Sequence, residues 1–494
     1  MSQTQDRINR FFQNDVVAEL LRWLAFLGLA AFTAVLIAKK GIAIGAVLLA
    51  LPVVVAYFLL FFRYPKLGIY TSLVISFVLP MVNRWGDYYG IPLPPLGLGV
   101  DILLVLTYVV VILKYWRRVD FSALSNDVML LLTIWMAYII LQVANPLAYS
   151  FAAWFYSMRG IALYQLLIIG LGFWMFNSKK DFYNWLHLFL AFSALGILWA
   201  IKQKFIGVSP AEQKWLDDGE ATTHVLFGKL RIFSYYFDAG TFGAAMGHVS
   251  IVSAVLFLGP YSRVRKTFYF LMALFGFYAM MLSGTRGALA VPGLGGIAFL
   301  VMSKNVRLLL AGALVMISGF VFLKYTTLLQ SNYEVNRLRT ALDSDDPSLN
   351  TRKRNRKRLT EYLRDKPIGG GVGTTGSWGK RFSPGTWLAD FEPDGLYTRI
   401  RAETGLIGRQ FYVWMWLYIL FKAIWKIWKM PAGTEEHNVS MALMAGYAGI
   451  LMANYGNAVM TQHPISLVTF LSISTVYTIH RWNNPTKPYR DKEW

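Results

Sequence analysis

The stretch Thr267–Met302 reads TFYFLMALFGFYAMML, then SGTRG, then ALAVPGLGGIAFLVM. Two apolar runs, each long enough to cross most of a bilayer as a helix, therefore enclose one arginine, Arg286. A guanidinium at that depth is costly unless it is paired or faces water, so Arg286 is a candidate site residue that needs an anionic partner. The alternative interpretation is an arginine that snorkels to the interface and only marks a helix end.

The whole chain has the composition of a polytopic membrane protein. Of its 494 residues, 56% are hydrophobic and 15% are charged, and the mean hydropathy is +0.43. We therefore predict an all-α protein with about 12–14 transmembrane helices. Cysteine is absent, which excludes disulfides, thiolate nucleophiles and cysteine-based metal sites. The apolar windows lie near 17–38, 41–62, 67–83, 98–115, 127–145, 160–177, 182–201, 238–259, 267–284, 287–303, 306–323, 406–428, 439–458 and 464–481.

Lysine and arginine in the short loops set the predicted orientation. Most of the short basic loops, Lys179–Lys180 for example, fall on one side if both termini are cytoplasmic. The pair Lys39–Lys40 falls on the other side and contradicts this orientation. The far side then receives Arg286, the loop Lys202–Phe237 and one long loop, Lys324–Glu403. The functional site is therefore predicted to lie on the extracytoplasmic side of the membrane.

The long loop has internal order. Ser348 or Asn350 is predicted to begin a basic helix that continues to Arg364, which either binds substrate or contacts lipid headgroups. Nucleic acid is excluded as a partner despite the net charge of +21. The basic segment is predicted to face outward, whereas nucleic acid lies on the cytoplasmic side of the membrane. The run Gly369–Gly376 either turns its backbone N–H groups towards an anion or is only a flexible turn. Three carboxylates, suited to acid–base chemistry or to a salt-bridged loop, come next: Asp390, Glu392 and Asp394.

Four short motifs follow one another around the long loop. They are Arg231 ahead of a helix start at Asp238, SGTRG at Ser283–Gly287, Arg352 followed by PIGGGVG at 367–373, and ETGLIG at Glu403–Gly408. In this order they resemble the motifs of the O-antigen ligase and O-antigen polymerase superfamily. The resemblance covers about residues 230–420.

This resemblance implies a fold, an activity and a location. It implies a GT-C-like bundle in the bacterial inner membrane, with the active site facing the periplasm. The enzyme would be a metal-independent, inverting glycosyltransferase without cofactors. Its donor would be a glycan on undecaprenyl diphosphate, and its acceptor another glycan, lipid A core or a glycoprotein. We accordingly divide the chain into N-terminal transmembrane helices, 1–229, a ligase-like core, 230–420, that includes the periplasmic loop 324–405, and C-terminal helices with a cytoplasmic tail, 421–494.

The resemblance also suggests roles for individual residues. Arg231 and Arg286 match the family's arginines and are predicted to hold the diphosphate during catalysis. Asp394 stands eleven residues before the glycine of the ETG motif, where the family has histidine, and is predicted to orient and deprotonate the acceptor hydroxyl. His224 and His463 are alternative bases. Further substrate contacts are predicted at Arg159, which also fits an interfacial anchor, and at Arg352, Gly371, Gly373, Glu392, Tyr397 and Arg399.

Two other classes of function stay open at this stage. A transporter would also explain arginines among many spans, although the chain has no inverted repeat. A flippase for a lipid-linked glycan would need the basic residues but not Asp394. The residues do not separate a ligase from a polymerase or from a protein glycosylation ligase.

Overall fold

The structure, a computed structural model, describes residues 15–40, 42–93, 95–226, 228–331, 333–340 and 347–482. Among these residues the single sheet is a short antiparallel pair, Val225–Leu226 with Lys229–Leu230. The longer α-helices, in chain order, are α1 (Asp15–Lys40), α2 (Ile42–Arg63), α3 (Lys66–Tyr88), α4 (Gly97–Lys114), α5 (Asp127–Leu141), α6 (Phe151–Met158), α7 (Tyr164–Met175), α8 (Lys179–Phe205), α9 (Ala239–Phe257), α10 (Arg263–Leu282), α11 (Ala290–Ser303), α12 (Val306–Tyr325), α13 (Tyr333–Thr340), α14 (Pro347–Tyr362), α15 (Leu396–Trp428), α16 (Glu435–Ala453) and α17 (Ile465–Thr478).

The prediction of an all-α polytopic membrane protein is confirmed. Within the described ranges, eight helices are long and apolar enough to cross a membrane. They are Lys66–Tyr88, Gly97–Lys114, Asp127–Ala144, Phe151–Met175, Lys179–Phe205, Ala239–Phe257, Arg286–Ser303 and Val306–Tyr325. Every other predicted apolar window also coincides with a helix. The total of about 12–14 spans stays a prediction.

Contacts divide the chain into two compact units, Met1–Leu67 and Gly68–Trp494. In the first unit α1 packs against α2. The second unit contains the large hydrophobic core and every candidate site residue. The boundary predicted at 420/421 falls inside α15, which continues to Trp428. The three-part division of the chain stays a prediction.

Helix α9 lies at the centre of the second unit, where 89% of its apolar window is buried. Its small residues allow neighbouring helices to approach closely. A Cβ on Gly243 would lie 2.3 Å from the Ser283 hydroxyl, and one on Gly247 would lie 3.1 Å from the Val291 side chain. Packing against α10 and α11 therefore places the start of α9 beside the turn that carries Arg286.

Several helix ends meet around that turn. The Thr285 hydroxyl, just before Arg286, donates to the Ala239 carbonyl at 3.0 Å, which ties the turn to the start of α9. The Leu396 amide donates to the Asn454 carbonyl at 2.9 Å, which joins the start of α15 to the end of α16. We call this side of the bundle the Arg286 end.

The opposite side of the bundle, which we call the Lys304 end, contains short basic loops. Lys179 forms an ion pair with Glu435 at 2.6 Å, and the Lys304 ammonium donates to the Trp428 carbonyl at 3.0 Å. The short basic loops at these two positions therefore lie on the side away from Arg286, as the orientation prediction requires. Which compartment each side faces stays a prediction.

The long loop is built around α14. The helix predicted from Ser348 or Asn350 to Arg364 is observed at Pro347–Tyr362. Leu359 and Leu363 are buried in a small separate core with Leu388, Phe391 and Ala402. This core fixes the basic helix on the Arg286 end of the bundle.

The glycine run after α14 serves close packing. The Gly371 amide donates to the Glu403 carbonyl at 2.9 Å. Gly373 has φ +86°, and a Cβ there would lie 2.3 Å from the Ala153 carbonyl oxygen. The run therefore joins the loop to α15 and α6, where any larger residue would collide with the backbone.

Candidate active site

Four arginines line one cavity of about 800 Å³ at the Arg286 end. We call it the arginine cavity, and its arginines are Arg231, Arg286, Arg337 and Arg352. Two carboxylates, Asp238 and Glu220, also line it. Because cations outnumber carboxylates, the cavity is suited to a ligand that carries more than one negative charge.

Arg231 is held by the backbone on one side and by the SGTRG turn on the other. Its guanidinium donates to the Thr223 carbonyl at 3.0 Å and to the Thr285 hydroxyl at 2.8 Å. That same hydroxyl donates onward to Ala239. The loop before α9 and the turn before Arg286 are thereby fixed to each other, which brings the two predicted arginines to one cavity.

The turn itself explains the position of Arg286. Gly284 has φ +57°, a left-handed conformation that glycine adopts without strain. The Thr285 amide donates to the Ser283 hydroxyl at 3.2 Å, and Arg286 then begins a short 3₁₀ helix, Arg286–Leu289. The tight turn ends α10 and directs the chain into α11 within a few residues.

Arg337 is a site residue that sequence reasoning missed. Its Nε donates to the Gly284 carbonyl at 2.7 Å, so α13 lies directly against the SGTRG turn. None of the four motifs includes Tyr333–Thr340. The available signal was its basic character, with Arg337 and Arg339 in one short helix.

Arg84 holds the loop that carries Arg231. It lies near the end of α3, is 5% exposed, and donates to the carbonyls of Ser234 and Phe237 at 3.3 Å each. Its guanidinium also lies 4.2 Å from the centre of the Trp215 ring. Carbonyl and aromatic partners of this kind stabilise a buried guanidinium, so Arg84 is a positioning residue.

The two histidines proposed as alternative bases differ in position: His224 lines the arginine cavity, whereas His463 does not. The Ala239 amide donates to His224 Nε2 at 3.3 Å, which leaves the proton on Nδ1 near the Glu220 carbonyl at 3.0 Å. Burial lowers the pKa of His224, so this ring is neutral and both nitrogens are used. His463 is buried beside Tyr164 and Ser466 and does not line the arginine cavity.

A second cavity, of about 500 Å³, contains Asp394. We call it the Asp394 cavity. One Asp394 oxygen lies 3.9 Å from Arg352 Nε, and the other accepts from the Asn355 amide at 3.3 Å. Gly456 and Asn457 line both cavities. Asp394 therefore lies at the boundary between the arginine cavity and its neighbour.

Arg399 lines the Asp394 cavity and is held by a buried carboxylate. Glu403 is fully buried, and its carboxylate accepts from Arg399 Nε at 3.1 Å, Thr375 at 2.7 Å and Ser157 at 3.1 Å. Arg399 also donates to the Ser157 hydroxyl at 2.7 Å. This network gives the glutamate of the ETG motif a positioning function, which sequence reasoning did not assign.

Other predicted contact residues are distributed around these cavities. Glu392 lines the Asp394 cavity, where its exposed carboxylate pairs with Lys380 at 2.5 Å. Tyr397 donates to the Leu451 carbonyl at 2.7 Å and lines a third cavity. Gly371 and Gly373 line neither the arginine cavity nor the Asp394 cavity.

Arg159 is buried elsewhere in the bundle. It is 8% exposed, forms an ion pair with Asp101 of α4, and donates to the Tyr164 hydroxyl at 3.0 Å. It lines neither cavity. The structure therefore gives Arg159 a protein partner rather than a place beside the other predicted arginines.

The third cavity, of about 300 Å³, is an apolar groove. It is lined by Leu294, Val413, Trp416, Leu417 and Leu451, with Arg356, Arg401 and Arg409 among them. Met452 and Tyr455 line both this groove and the arginine cavity. The groove is therefore continuous with the cavity that contains the arginines.

The comparison with known families agrees with the residues that form the site. Residues 271–413 match a family model described as O-antigen ligase. The matched region includes Arg286, Arg337, Arg352 and Asp394, whereas Arg231 precedes it. No curated protein matches the chain. The predicted resemblance to the O-antigen ligase and polymerase superfamily is confirmed over the matched residues, and it supports a glycan-transfer function of this type.

Proposed function

We propose that the protein transfers a glycan from undecaprenyl diphosphate to an acceptor hydroxyl at the periplasmic face of the bacterial inner membrane. The transfer inverts the anomeric configuration and needs no metal ion. The observation that carries this proposal is the convergence of four arginines in one cavity, three of which, Arg286, Arg337 and Arg352, lie within the O-antigen ligase match. Glycan transfer from a lipid diphosphate is a reaction that such a cavity can serve.

The arginines would act on the leaving group. As the bond between the sugar and the diphosphate breaks, negative charge builds up on the phosphate oxygens. The Arg231 guanidinium is held by Thr285 of the SGTRG turn, and the backbone of Arg286 belongs to the same turn, so both arginines are close to where this charge would develop. Arginine suits the task because its planar fork can bind two phosphate oxygens at once.

Asp394 would act on the acceptor. The acceptor oxygen attacks the anomeric carbon, the new glycosidic bond forms as the bond to the diphosphate breaks, and the hydroxyl proton passes to the Asp394 carboxylate. Its place at the boundary of the two cavities supports this role, since Gly456 and Asn457 line both. Arg352 Nε, 3.9 Å from one Asp394 oxygen, would help to orient the carboxylate towards the acceptor.

The apolar groove would hold the start of the lipid chain. Its leucine, valine and tryptophan side chains suit an isoprenoid, and Met452 and Tyr455 connect it to the arginine cavity. A donor bound this way would place its diphosphate among the arginines while its lipid remained in an apolar environment.

The test is reconstitution of the purified protein in nanodiscs with an undecaprenyl-diphosphate-linked oligosaccharide as donor. A second lipid-linked repeat, lipid A core and a peptide are offered separately as acceptors. New glycosidic bonds are detected by mass spectrometry, and their anomeric configuration by NMR. We expect one acceptor to be glycosylated with inversion. Movement of the donor across proteoliposomes without any new glycosidic bond would instead identify a flippase and refute the proposal.

A further inference from the structure

The Asp394 cavity has an aromatic wall that the proposed chemistry does not use. Trp378 lines the cavity and is half-buried. Its ring stacks on Tyr156 with centroids 4.7 Å apart and an angle of 13° between the planes. Phe382 stacks on the same Tyr156 ring at 5.9 Å. These contacts hold Trp378 in one orientation at the edge of the cavity.

Most of the other side chains that line the cavity are polar. They include Thr375, Ser377, Lys380, Glu392, Asp394, Arg399 and Asn457. Arg399 is fixed by Glu403 and Ser157, so its guanidinium is already oriented before any ligand arrives. The apolar groove differs sharply, because its wall consists mainly of aliphatic and aromatic side chains.

This combination matches the chemistry of a sugar ring. A pyranose has an apolar face of C–H groups, which packs on the electron-rich face of an indole, and an edge of hydroxyl groups. Those hydroxyls both donate and accept, so they pair with carboxylate, amide and guanidinium groups. A lipid chain would leave the polar wall without partners, and a diphosphate would not use the indole.

The position of the cavity indicates which sugar it receives. Asp394, the residue placed to accept the hydroxyl proton, lines this cavity. Arg231 and Arg286, which would hold the donor diphosphate, line the other one. A saccharide against Trp378 would therefore approach the anomeric carbon of the donor from the side of Asp394.

We propose that the Asp394 cavity is a saccharide-binding site that holds the acceptor glycan, with its terminal sugar packed on Trp378. The assignment to the acceptor rests on the proposed function. The binding of a saccharide does not, because it can be measured without turnover.

The first experiment measures binding without donor. Oligosaccharides are released by mild acid from the membrane glycolipids of the cells that naturally make this protein. They are titrated against the full-length protein in nanodiscs, and binding is measured by saturation-transfer NMR. We expect Trp378→Leu to weaken binding at least about tenfold and Trp378→Phe to retain most of it, since phenylalanine keeps an aromatic face. Equal binding by Trp378→Leu and wild type would overturn the site.

Two further variants separate loss of the site from loss of the fold. Trp387, which stacks on Tyr362 at 4.2 Å outside the cavity, supplies the matched control Trp387→Leu, which should bind like wild type. Ser377 is exposed at the cavity wall, so Ser377→Phe should obstruct the saccharide without removing a packed side chain. Normal binding by Ser377→Phe would count against the site. Thermal unfolding of each variant identifies any that fail to fold.

The second experiment distinguishes the acceptor from the donor glycan. In the transfer assay, Trp378→Leu should raise the KM for the acceptor at least about tenfold while the KM for the lipid-linked donor stays unchanged. An increase confined to the donor KM would overturn the acceptor assignment. If binding depends on Trp378 but no transfer occurs with any acceptor, the saccharide site stands and the proposed function fails. If transfer occurs and no variant alters acceptor binding, the function stands and the site fails.

Discussion

Arg159 and Arg286 have similar local sequences, Ser-Met-Arg-Gly and Gly-Thr-Arg-Gly, yet their surroundings differ. Arg159 is buried between helices with Asp101 as its ion-pair partner. Arg286 lines a cavity of about 800 Å³ with three other arginines. The comparison teaches that the tertiary surroundings, and not the neighbouring residues, decide whether an arginine in a membrane protein pairs within the fold or lines a cavity.

The largest effect is expected at Arg159, the arginine that pairs with Asp101 within the fold. Arg159→Ala leaves the Asp101 carboxylate buried without its cation, so it should destabilise the protein by about 3–5 kcal/mol, measured by thermal or denaturant unfolding in detergent. The activity of the molecules that remain folded should stay close to that of wild type.

The control for this prediction replaces both partners. Asp101→Leu combined with Arg159→Met should recover most of the lost stability, because no buried charge remains. If Arg159→Ala has wild-type stability but has lost turnover, Arg159 contributes to the reaction, as is proposed for Arg231 and Arg286.

The next largest effect is expected at Asp394, which lines a cavity as Arg286 does. Asp394→Asn keeps the shape but removes the proton acceptor, and should lower kcat for transfer about 10²–10⁴-fold while donor binding persists. Asp390→Asn, at an exposed neighbouring carboxylate, is the matched control. Normal turnover of Asp394→Asn, with loss of turnover in His224→Ala or His463→Ala, would transfer the role to an imidazole.

Arg231→Ala and Arg286→Ala should each lower transfer about 10²–10³-fold, because each removes a preorganised cation from the leaving diphosphate. Folding and membrane insertion should remain intact, in contrast to Arg159→Ala. Arg307→Ala, at an exposed arginine near the Lys304 end, is the matched control and should have wild-type activity. Turnover near normal in both cavity variants would reduce these arginines to interfacial anchors.

The smallest effect is expected from metal removal. If the arginines alone neutralise the diphosphate, transfer should be unchanged after dialysis against EDTA and after addition of Mg²⁺ or Mn²⁺, measured as initial rates. Activity that disappears with EDTA and returns with either ion would show that a metal ion also helps to neutralise the diphosphate.

Much of the fold was predictable because its determinants are local. Apolar windows of membrane-spanning length mark the membrane helices, and the basic helix of the long loop was predicted within a few residues of its observed bounds, Pro347–Tyr362. The predicted capping residues, Ser348 and Asn350, lie inside this helix and not at its start. Arg231, Arg286 and Arg352 were identified from motifs, and the structure brings all three to one cavity.

The remaining site residues depend on contacts between distant segments. Asp101 lies 58 positions before Arg159, and Arg337 reaches Gly284 from 53 positions away. The Gly371 amide donates to the Glu403 carbonyl, a contact that the glycine run by itself does not reveal. Such pairings are set by how helices pack, and one sequence carries no signal for them.

The central claim is that the arginine cavity holds the diphosphate of a lipid-linked glycan, and direct binding tests it most simply. Undecaprenyl diphosphate is titrated into nanodiscs that contain wild type, the double variant Arg231→Ala/Arg286→Ala, or Asp394→Asn. We predict saturable binding by wild type and by Asp394→Asn, and binding at least about a hundredfold weaker by the double variant, since two charge-assisted contacts are lost. Equal affinity in wild type and the double variant would contradict the claim.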